Sequence, residues 1–407
     1  MSSIDIRNLR NIFFNITAKL RNLVIPISLE NLFSPRKIGS VEIKNRIMRS
    51  ATFEGMASHE GEVTDELIEL YRKLAQGGTG LVITSASAVD SRYTVGSKCL
   101  CLNDDSFIAG HKRLVDTVHE FDVKIGAQLA HNGRQGSHPK YSPVAPSPVL
   151  YPPTNCIPKE LTELEIGELI EKFAKAGRRA YESGYDMVQL HAAHGYLLSS
   201  FLSPYTNKRT DEFGGTTQKR TRILRDIYHQ LRDEVGTNFP IIIKMQAVDG
   251  IPEGLTLQEA KKIGKILVDS GFDAIEPSGG LAELQMKTDN ALPSRKVKVP
   301  EDENFLLFAV KELRPIMKRS ALIQVGGIRN PLSAEQFLKT KTCDFVAMSR
   351  PFIQEPDLPN RWQKGDLTPA YCISCNSCLV AMYMGQPLYC AVKKKLERKS
   401  RKKESET

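Results

Sequence analysis

The segment with the clearest chemical potential is HAAHGY, which places His191, His194 and Tyr196 within six residues. Two histidines at this spacing could bind a metal, fill a core or donate hydrogen bonds to a substrate. A zinc site needs three or four protein ligands, and this segment offers two imidazoles. A phenol, with an ordinary pKa of about 10, is protonated at neutral pH and suits a proton donor. Metal binding is therefore the least favoured of the three interpretations.

Polar residues also stand at the ends of other apolar runs. Gln128 lies in QLAHNGRQ and offers a donor and an acceptor to an amide-like edge. Lys244 lies in KMQAVDG and offers a cation to a ring that gains negative charge on reduction. Each residue taken alone is equally well explained as a satisfied polar group at the rim of a core. Together they point to a planar polar ligand.

A second pair of motifs favours a phosphate site. VGGIRN contains Gly326 and Gly327, whose backbone N–H groups can approach a phosphate closely. MSRPF adds the Ser349 hydroxyl and the Arg350 guanidinium. A glycine turn and a surface arginine are the alternative. The expected position of both motifs, after the last two strands of a barrel, favours phosphate.

Four of the eight cysteines form a cluster near the C-terminus. Cys372, Cys375, Cys378 and Cys390 have the spacing C-x2-C-x2-C-x11-C. Because no secretory signal opens the chain, metal binding is favoured over disulfides. Four thiolates can hold a [4Fe–4S] cluster or a zinc ion, and spacing alone does not choose between them. Unoccupied reduced thiols are the third alternative.

Hydrophobic periodicity predicts the elements that position these residues. Eight short apolar runs read as strands: Ile47 to Ala51, Gly80 to Ala86, Ile125 to Ala130, Met187 to His191, Ile241 to Gln246, Ala274 to Ser278, Leu322 to Gly326 and Phe345 to Ser349. Amphipathic stretches between them read as helices, among them 64–75, 163–183, 218–235, 256–270 and 302–317. Eight consecutive βα units predict an α/β fold of the (βα)8 TIM-barrel type, with its chemistry at the carboxyl ends of the strands.

Two segments precede the repeat. Residues 31–46 read as a hairpin that turns at Gly39 and Ser40 and could plug the lower mouth of the barrel. Residues 1–30 form a basic extension with apolar residues at helical spacing. Such an amphipathic helix could lie on a membrane surface, cover the barrel or pack on a second subunit in a homo-oligomer. Packing against protein is favoured.

Composition and charge exclude several classes of function. The chain has 407 residues, is 41% hydrophobic and has no apolar run long enough to span a membrane, so we expect a cytoplasmic protein. Its net charge of +9 comes almost entirely from its ends, +3 over residues 1–29 and +5 over residues 393–407. The nearly neutral body offers no nucleic-acid surface. We expect residues 393–407 to be a basic, disordered tail.

Six ordered motifs carry a resemblance to a known family. They are LFSPRKIGSVEIKNRI, AQLAHNGRQ, APSPV, HAAHGYLLSSFLSPYTNKRTDEFGG, VGGIRN and SRPFIQEPDL. Together they resemble the Old Yellow Enzyme family, in particular its NADH:flavin oxidoreductase and 2,4-dienoyl-CoA reductase branch, over roughly residues 31–392. The implied organisation is an FMN-binding barrel over 31–365 and a Cys-cluster segment over 366–392.

The resemblance implies non-covalent FMN at the barrel mouth and gives the candidate residues their roles. The implied FMN contacts are Ser50, Ala51, Thr52 and Phe53 under the ring edge, Ala86 beside it, Gln128 and Lys244 on the pyrimidine side, and Gly326, Gly327, Ser349 and Arg350 on the phosphate. His191 and His194 match the pair that holds a substrate oxygen, and Tyr196 matches the proton donor. The implied reaction is reduction of an electron-poor C=C bond, with hydride from flavin N5 and a proton from Tyr196.

This sequence departs from the family pattern at four places. Gly55 stands where some relatives have an aromatic substrate contact, which predicts a wider pocket. Phe53 stands where many relatives have Thr or Cys, Lys244 stands where many have Arg, and the cysteine cluster is one residue shorter than in relatives that bind [4Fe–4S]. We expect no FAD and nicotinamide domain after the cluster. The electrons would then come from NAD(P)H directly or from a separate flavoprotein or ferredoxin. A barrel that only passes electrons within a flavin and iron–sulfur complex is the alternative function.

Overall fold

The computed structural model describes residues 28–405, apart from residue 137 and residues 286–287 and 289–290. The predicted amphipathic helix lies outside the described residues over 1–27, so it stays a prediction. No helix within the described part of the chain is long and apolar enough to cross a membrane.

Thirteen strands are present in the described residues. They are β1 Arg36–Ile38, β2 Val41–Ile43, β3 Ile47–Arg49, β4 Leu81–Ala88, β5 Leu100–Cys101, β6 Lys124–Ala130, β7 Val144–Ala145, β8 Lys159–Glu160, β9 Met187–Ala192, β10 Ile241–Val248, β11 Ala274–Gly279, β12 Ala321–Val325 and β13 Phe345–Met348. Eight of them, β3, β4, β6 and β9 to β13, are the eight strands predicted from the sequence.

Helices connect these strands and continue beyond the last one. They are α1 Asp65–Gln76, α2 Ile108–His119, α3 Glu163–Glu182, α4 Leu197–Leu202, α5 Thr217–Arg220, α6 Arg222–Val235, α7 Leu257–Ser270, α8 Ala282–Gln285, α9 Leu307–Leu313, α10 Pro331–Lys339, α11 Arg350–Gln354, α12 Leu358–Gln363, α13 Ser377–Tyr383 and α14 Ala391–Ser405. The helix predicted over 218–235 is divided into α5 and α6, and the one predicted over 302–317 is reduced to α9 and a short 3-10 turn.

The eight strands form a closed parallel barrel. Each pairs in parallel with its sequence neighbours, and the first strand, β3, pairs with both β4 and β13, which closes the sheet. Nearly every residue of these strands is buried, as expected for strands covered by helices outside and by side chains within. The predicted (βα)8 TIM barrel is confirmed.

Local sequence signals fix where the helices begin and end. Thr162 and Glu165 form a reciprocal capping box at the start of α3, and Thr256 and Glu259 form another at the start of α7. Helix α7 stops at Gly271, whose φ of +110° suits glycine far better than any other residue. These signals set where the loops start, and the loops carry the site.

The N-terminal hairpin closes the lower mouth of the barrel, as predicted. Strands β1 and β2 are antiparallel and turn at Gly39 and Ser40. Ile38 and Ile43 are fully buried and pack in one apolar cluster with inward-facing strand residues such as Met48 and Met187. Among the residues that the structure describes, the opposite, carboxyl end of the barrel is therefore the end left open for chemistry.

The structure differs from the sequence prediction at the C-terminus. Residues 391–405 form helix α14, where a disordered tail was expected. The segment is rich in Lys, Arg and Glu, which have high helix propensity. The disordered tail was predicted from the high charge of the segment, and charge alone takes no account of helix propensity.

Candidate active site

The two histidines and the tyrosine form one cluster of rings at the carboxyl end of β9. The His191 and His194 rings have centroids 5.1 Å apart and are nearly perpendicular. The Tyr196 ring lies 4.9 Å from that of His191, between centroids. His191 lies on β9 itself, which ends at Ala192, and the segment that follows the strand carries His194 and Tyr196. The structure therefore brings the three predicted catalytic side chains together.

Hydrogen bonds hold His194 in an uncommon backbone conformation. Its φ is +65°, in the left-handed region. Its backbone N–H donates to Oε1 of Gln246 at 2.8 Å, and its Nε2 lies 2.7 Å from the Ser278 hydroxyl. Gln246 is itself held by Asp249, which accepts a 2.8 Å hydrogen bond from Nε2 of Gln246. Strands β10 and β11 therefore fix this ring from two sides.

Both imidazoles are held in their neutral form. Burial, reinforced by the nearby Lys244 charge, lowers the pKa of His194 to about 3. Burial, together with His194 and Lys244, lowers the pKa of His191 well below its ordinary value. A neutral imidazole has one N–H and one acceptor nitrogen. Nδ1 of His191 is buried and has no hydrogen-bond partner within the described part of the chain. Such an atom is available to a ligand.

A buried polar layer crosses the barrel next to these rings. In the strand register Lys244 stands opposite both His191 and Glu276, and Gln128 stands opposite Gln189. Nε2 of Gln128 donates to Gln189 at 2.7 Å, and Nζ of Lys244 donates to the Ser50 hydroxyl at 2.9 Å. The structure thus connects three of the residues predicted to contact a planar ligand.

Two members of this layer were missed in the sequence. Gln189 and Glu276 lie inside the apolar runs MVQLH and AIEPS and are fully buried. A carboxylate or a primary amide in the middle of a buried strand is rare unless it is paired. The presence of such residues inside apolar runs was the sequence signal that could have identified them as members of a paired polar layer.

A cavity of about 160 Å³ opens beside the polar layer. Seven of the predicted cofactor residues line it, together with His194: Ser50, Ala51, Lys244, Gly326, Gly327, Ser349 and Arg350. Thr52, Phe53, Ala86 and Gln128 are not among the lining residues. Thr52 still reaches the site, since its hydroxyl lies 2.7 Å from that of Ser349. Ala86 stands opposite Gln128 in the register, whereas Phe53 packs against Cys99 and Cys101.

One end of the cavity has the properties of an anion site. Gly326 and Gly327 have φ values of +101° and +79°, and a Cβ on either would come within 3 Å of the Phe305 ring. Arg350 donates to Oδ1 of Asn376 at 2.7 Å and to the Arg295 carbonyl at 2.9 Å, which fixes its guanidinium at the cavity wall. Side-chain-free backbone beside a fixed guanidinium fits a phosphate group.

Together the two ends fit FMN. The polar layer offers the Ser50 hydroxyl and the Lys244 ammonium to a heteroaromatic ring, and the glycines and Arg350 offer donors to a phosphate. The unpartnered Nδ1 of His191 remains for a further polar ligand.

The four clustered cysteines line a separate small cavity. Arg350 and Asn376 line it as well, so it adjoins the anion site. All eight cysteines, which lie in the described part of the chain, are free thiols. Within residues 28–405 as described, no three His, Cys, Asp or Glu side chains are arranged to hold a metal ion. Metal binding by Cys372, Cys375, Cys378 and Cys390 stays a prediction.

Comparison with known proteins agrees with this geometry. The model of the NADH:flavin oxidoreductase / NADH oxidase family matches residues 31–368. An NADH oxidase from Thermoanaerobacter brockii is 35% identical over 353 residues, which cover 85% of this chain and 53% of that protein. The structure of a 2-naphthoyl-CoA reductase complex superposes with a TM-score of 0.82 at 27% identity, covering 89% of this chain and 57% of that one.

A shorter relative matches nearly from end to end. The structure of an Old Yellow Enzyme homologue from Zymomonas mobilis has a TM-score of 0.69 and 26% identity, covering 83% of this chain and 94% of that one. The chain spans only about half the length of the NADH oxidase and the naphthoyl-CoA reductase. Because the family model covers most of the chain, this protein belongs to the NADH:flavin oxidoreductase / NADH oxidase family, the family of Old Yellow Enzyme.

Proposed function

We propose that the chain is an FMN-dependent oxidoreductase that reduces an electron-poor C=C bond, with NAD(P)H as the source of electrons. The observation that carries the proposal is the His191, His194 and Tyr196 cluster, set beside a cavity with a cation at one end and an anion site at the other. Bound FMN would supply hydride transfer. Suitable substrates are enones, enoates or enoyl thioesters, whose carbonyl oxygen gains negative charge during reduction.

The chain's own residues divide the work. Gly326, Gly327, Ser349 and Arg350 would hold the phosphate, and Lys244 and Gln128 would bind the pyrimidine side of the ring. His191 and His194, neutral by burial, would donate hydrogen bonds to the substrate oxygen and stabilise its developing charge. Tyr196 would give a proton to the carbon next to the carbonyl group.

Native purification tests the proposal directly. We expect a bound flavin absorbance band, release of FMN on denaturation, and NAD(P)H oxidation that depends on an added enone such as cyclohexenone. A chain that takes up no FMN, even when the cofactor is added, would refute the function. Iron and sulfide analysis of protein purified without oxygen tests the cysteine cluster in the same preparation. If the cluster is loaded, an electron-donor flavoprotein or ferredoxin becomes the partner to seek.

The hydroxyl of Ser278 provides a finer test of the histidine role. For Nδ1 of His194 to carry the proton, Nε2 must accept one, and the Ser278 hydroxyl 2.7 Å away can donate it. We expect Ser278→Ala to lower kcat/KM for the enone about fivefold, the effect of losing one hydrogen bond of roughly 1 kcal/mol. FMN content should not change, and Ser278→Thr should restore most of the activity.

Ser320→Ala is the matched control for this substitution. Ser320 is also buried, but it lies at the other end of the barrel, where its hydroxyl donates to the Phe272 carbonyl at 2.7 Å. An equal loss of kcat/KM in both variants would show that Ser278 supports the fold rather than the His194 tautomer.

A further inference from the structure

Glu276 links the residues of the buried polar layer, which lies at the Lys244 end of the cavity. It has no exposed surface, and its carboxylate accepts hydrogen bonds from the Ser50 hydroxyl at 2.6 Å and from Nε2 of Gln189 at 2.8 Å. It also forms an ion pair with Lys244. Gln189 in turn accepts a hydrogen bond from Gln128. One carboxylate therefore fixes, directly or through one amide, three residues predicted to hold the cofactor.

Lys244 and Glu276 do not lie equally close to the cavity. Lys244 and Ser50 line the cavity, whereas Glu276 does not. The side chains of the pair are 5% and 0% exposed, so water screens neither charge. A ligand at this end meets the ammonium first and the carboxylate behind it. The carboxylate thus reduces the positive potential that Lys244 alone would present.

We propose that Glu276 is a positioning residue that fixes the Lys244 ammonium at the cavity wall and, by its charge, lowers the reduction potential of the flavin bound there. The proposal rests on the proposed function. Charge near the pyrimidine side of a flavin tunes its potential because the reduced ring carries more negative charge. Glu276 makes reduced flavin less favourable and therefore a stronger hydride donor.

The charge is tested with Glu276→Gln, which keeps the shape of the side chain. We expect the equilibrium constant for two-electron reduction of the bound FMN to rise at least tenfold, a positive shift of about 30 mV for a two-electron couple. Spectroelectrochemical titration measures it without turnover. The control is Asp273→Asn, the same change at the opposite end of β11, where Asp273 pairs with Arg232 at 2.8 Å. In this control the equilibrium constant for two-electron reduction of the bound FMN should stay within threefold of the wild-type value.

The positioning role is tested with Glu276→Asp, which keeps the buried ion pair and so keeps the fold if Glu276→Gln does not. The shorter side chain cannot contact Ser50, Lys244 and Gln189 at once. We expect the FMN dissociation constant to rise at least tenfold while the potential changes little. FMN bound as tightly as in the wild type, or a flavin-loaded Glu276→Gln with unshifted potential, overturns the proposal. A wild-type chain that binds no FMN instead refutes the proposed function itself.

Discussion

Tyr196→Phe is expected to slow reduction of an enone by two to four orders of magnitude, the usual contribution of a positioned general acid. The substitution removes one O–H and leaves the ring that contacts His191 with 4.9 Å between centroids. The substrate oxygen is still held by the two imidazoles, so binding should change little. Reduction of FMN by NAD(P)H needs no proton from Tyr196 and should keep its wild-type rate. Anaerobic stopped-flow absorbance separates the two half-reactions.

Tyr93→Phe is the matched control for the proton donor. Like Tyr196, Tyr93 lies next to a histidine: it is stacked on His131 with 4.4 Å between centroids, but its hydroxyl donates to the Ser142 carbonyl at 3.3 Å. Both half-reactions should keep their rates in this variant. Equal slowing of the two half-reactions in Tyr196→Phe would contradict the assignment, because only the oxidative half-reaction requires the donor.

The barrel could be predicted because its signals are local. Each strand is a short apolar run, and several helices begin at a capping residue or end at a glycine, so eight βα units follow from spacing alone. The segments that carry His191, Lys244 and Gly326 could be placed at one end for the same reason. Parallel strands all present their carboxyl ends on one face.

The contacts that tune the site could not be predicted because they are long-range. Ser278 is 84 residues from His194, and Glu276 is 226 residues from Ser50. Each pair meets only through the register of the closed barrel. From the sequence, Glu276 is one polar residue in an apolar run. The barrel shows it to be the hub of the polar layer.

Acidification is expected to destabilise the protein steeply between pH 6.5 and 5. Burial lowers the pKa of His111 to about 4 and the pKa values of His131 and His194 to about 3, and it lowers the pKa of His191 well below its ordinary value. In the unfolded chain each histidine titrates near 6.5. Below that pH the unfolded state binds more protons than the folded state, so the free energy of unfolding falls as pH falls.

The magnitude is comparable to the stability of a whole domain. Four buried histidines give a slope of about 5 kcal/mol per pH unit near pH 5, and a loss of about 7 kcal/mol between pH 7 and 5. Typical unfolding free energies are about 5 to 15 kcal/mol. Asp249, Asp273 and Glu303 oppose this trend, because burial raises the pKa of each carboxyl group. They act only as the pH falls through those raised values. Urea unfolding at pH 7.5, 6.5 and 5.5 measures the slope.

Replacing one buried histidine should remove the contribution of one bound proton from the pH dependence of the unfolding free energy. His111 lies away from the cavity, with its Nδ1 2.7 Å from the Tyr185 hydroxyl and its Nε2 3.1 Å from the Cys101 carbonyl. His111→Gln can keep a hydrogen bond but cannot titrate, so the pH dependence should fall by about one quarter. His229→Gln, the same change at an exposed position, should leave the slope as it is. A slope that stays unchanged in His111→Gln would mean that the acid sensitivity comes from other groups. That result would contradict a lowered pKa of His111 in the folded protein.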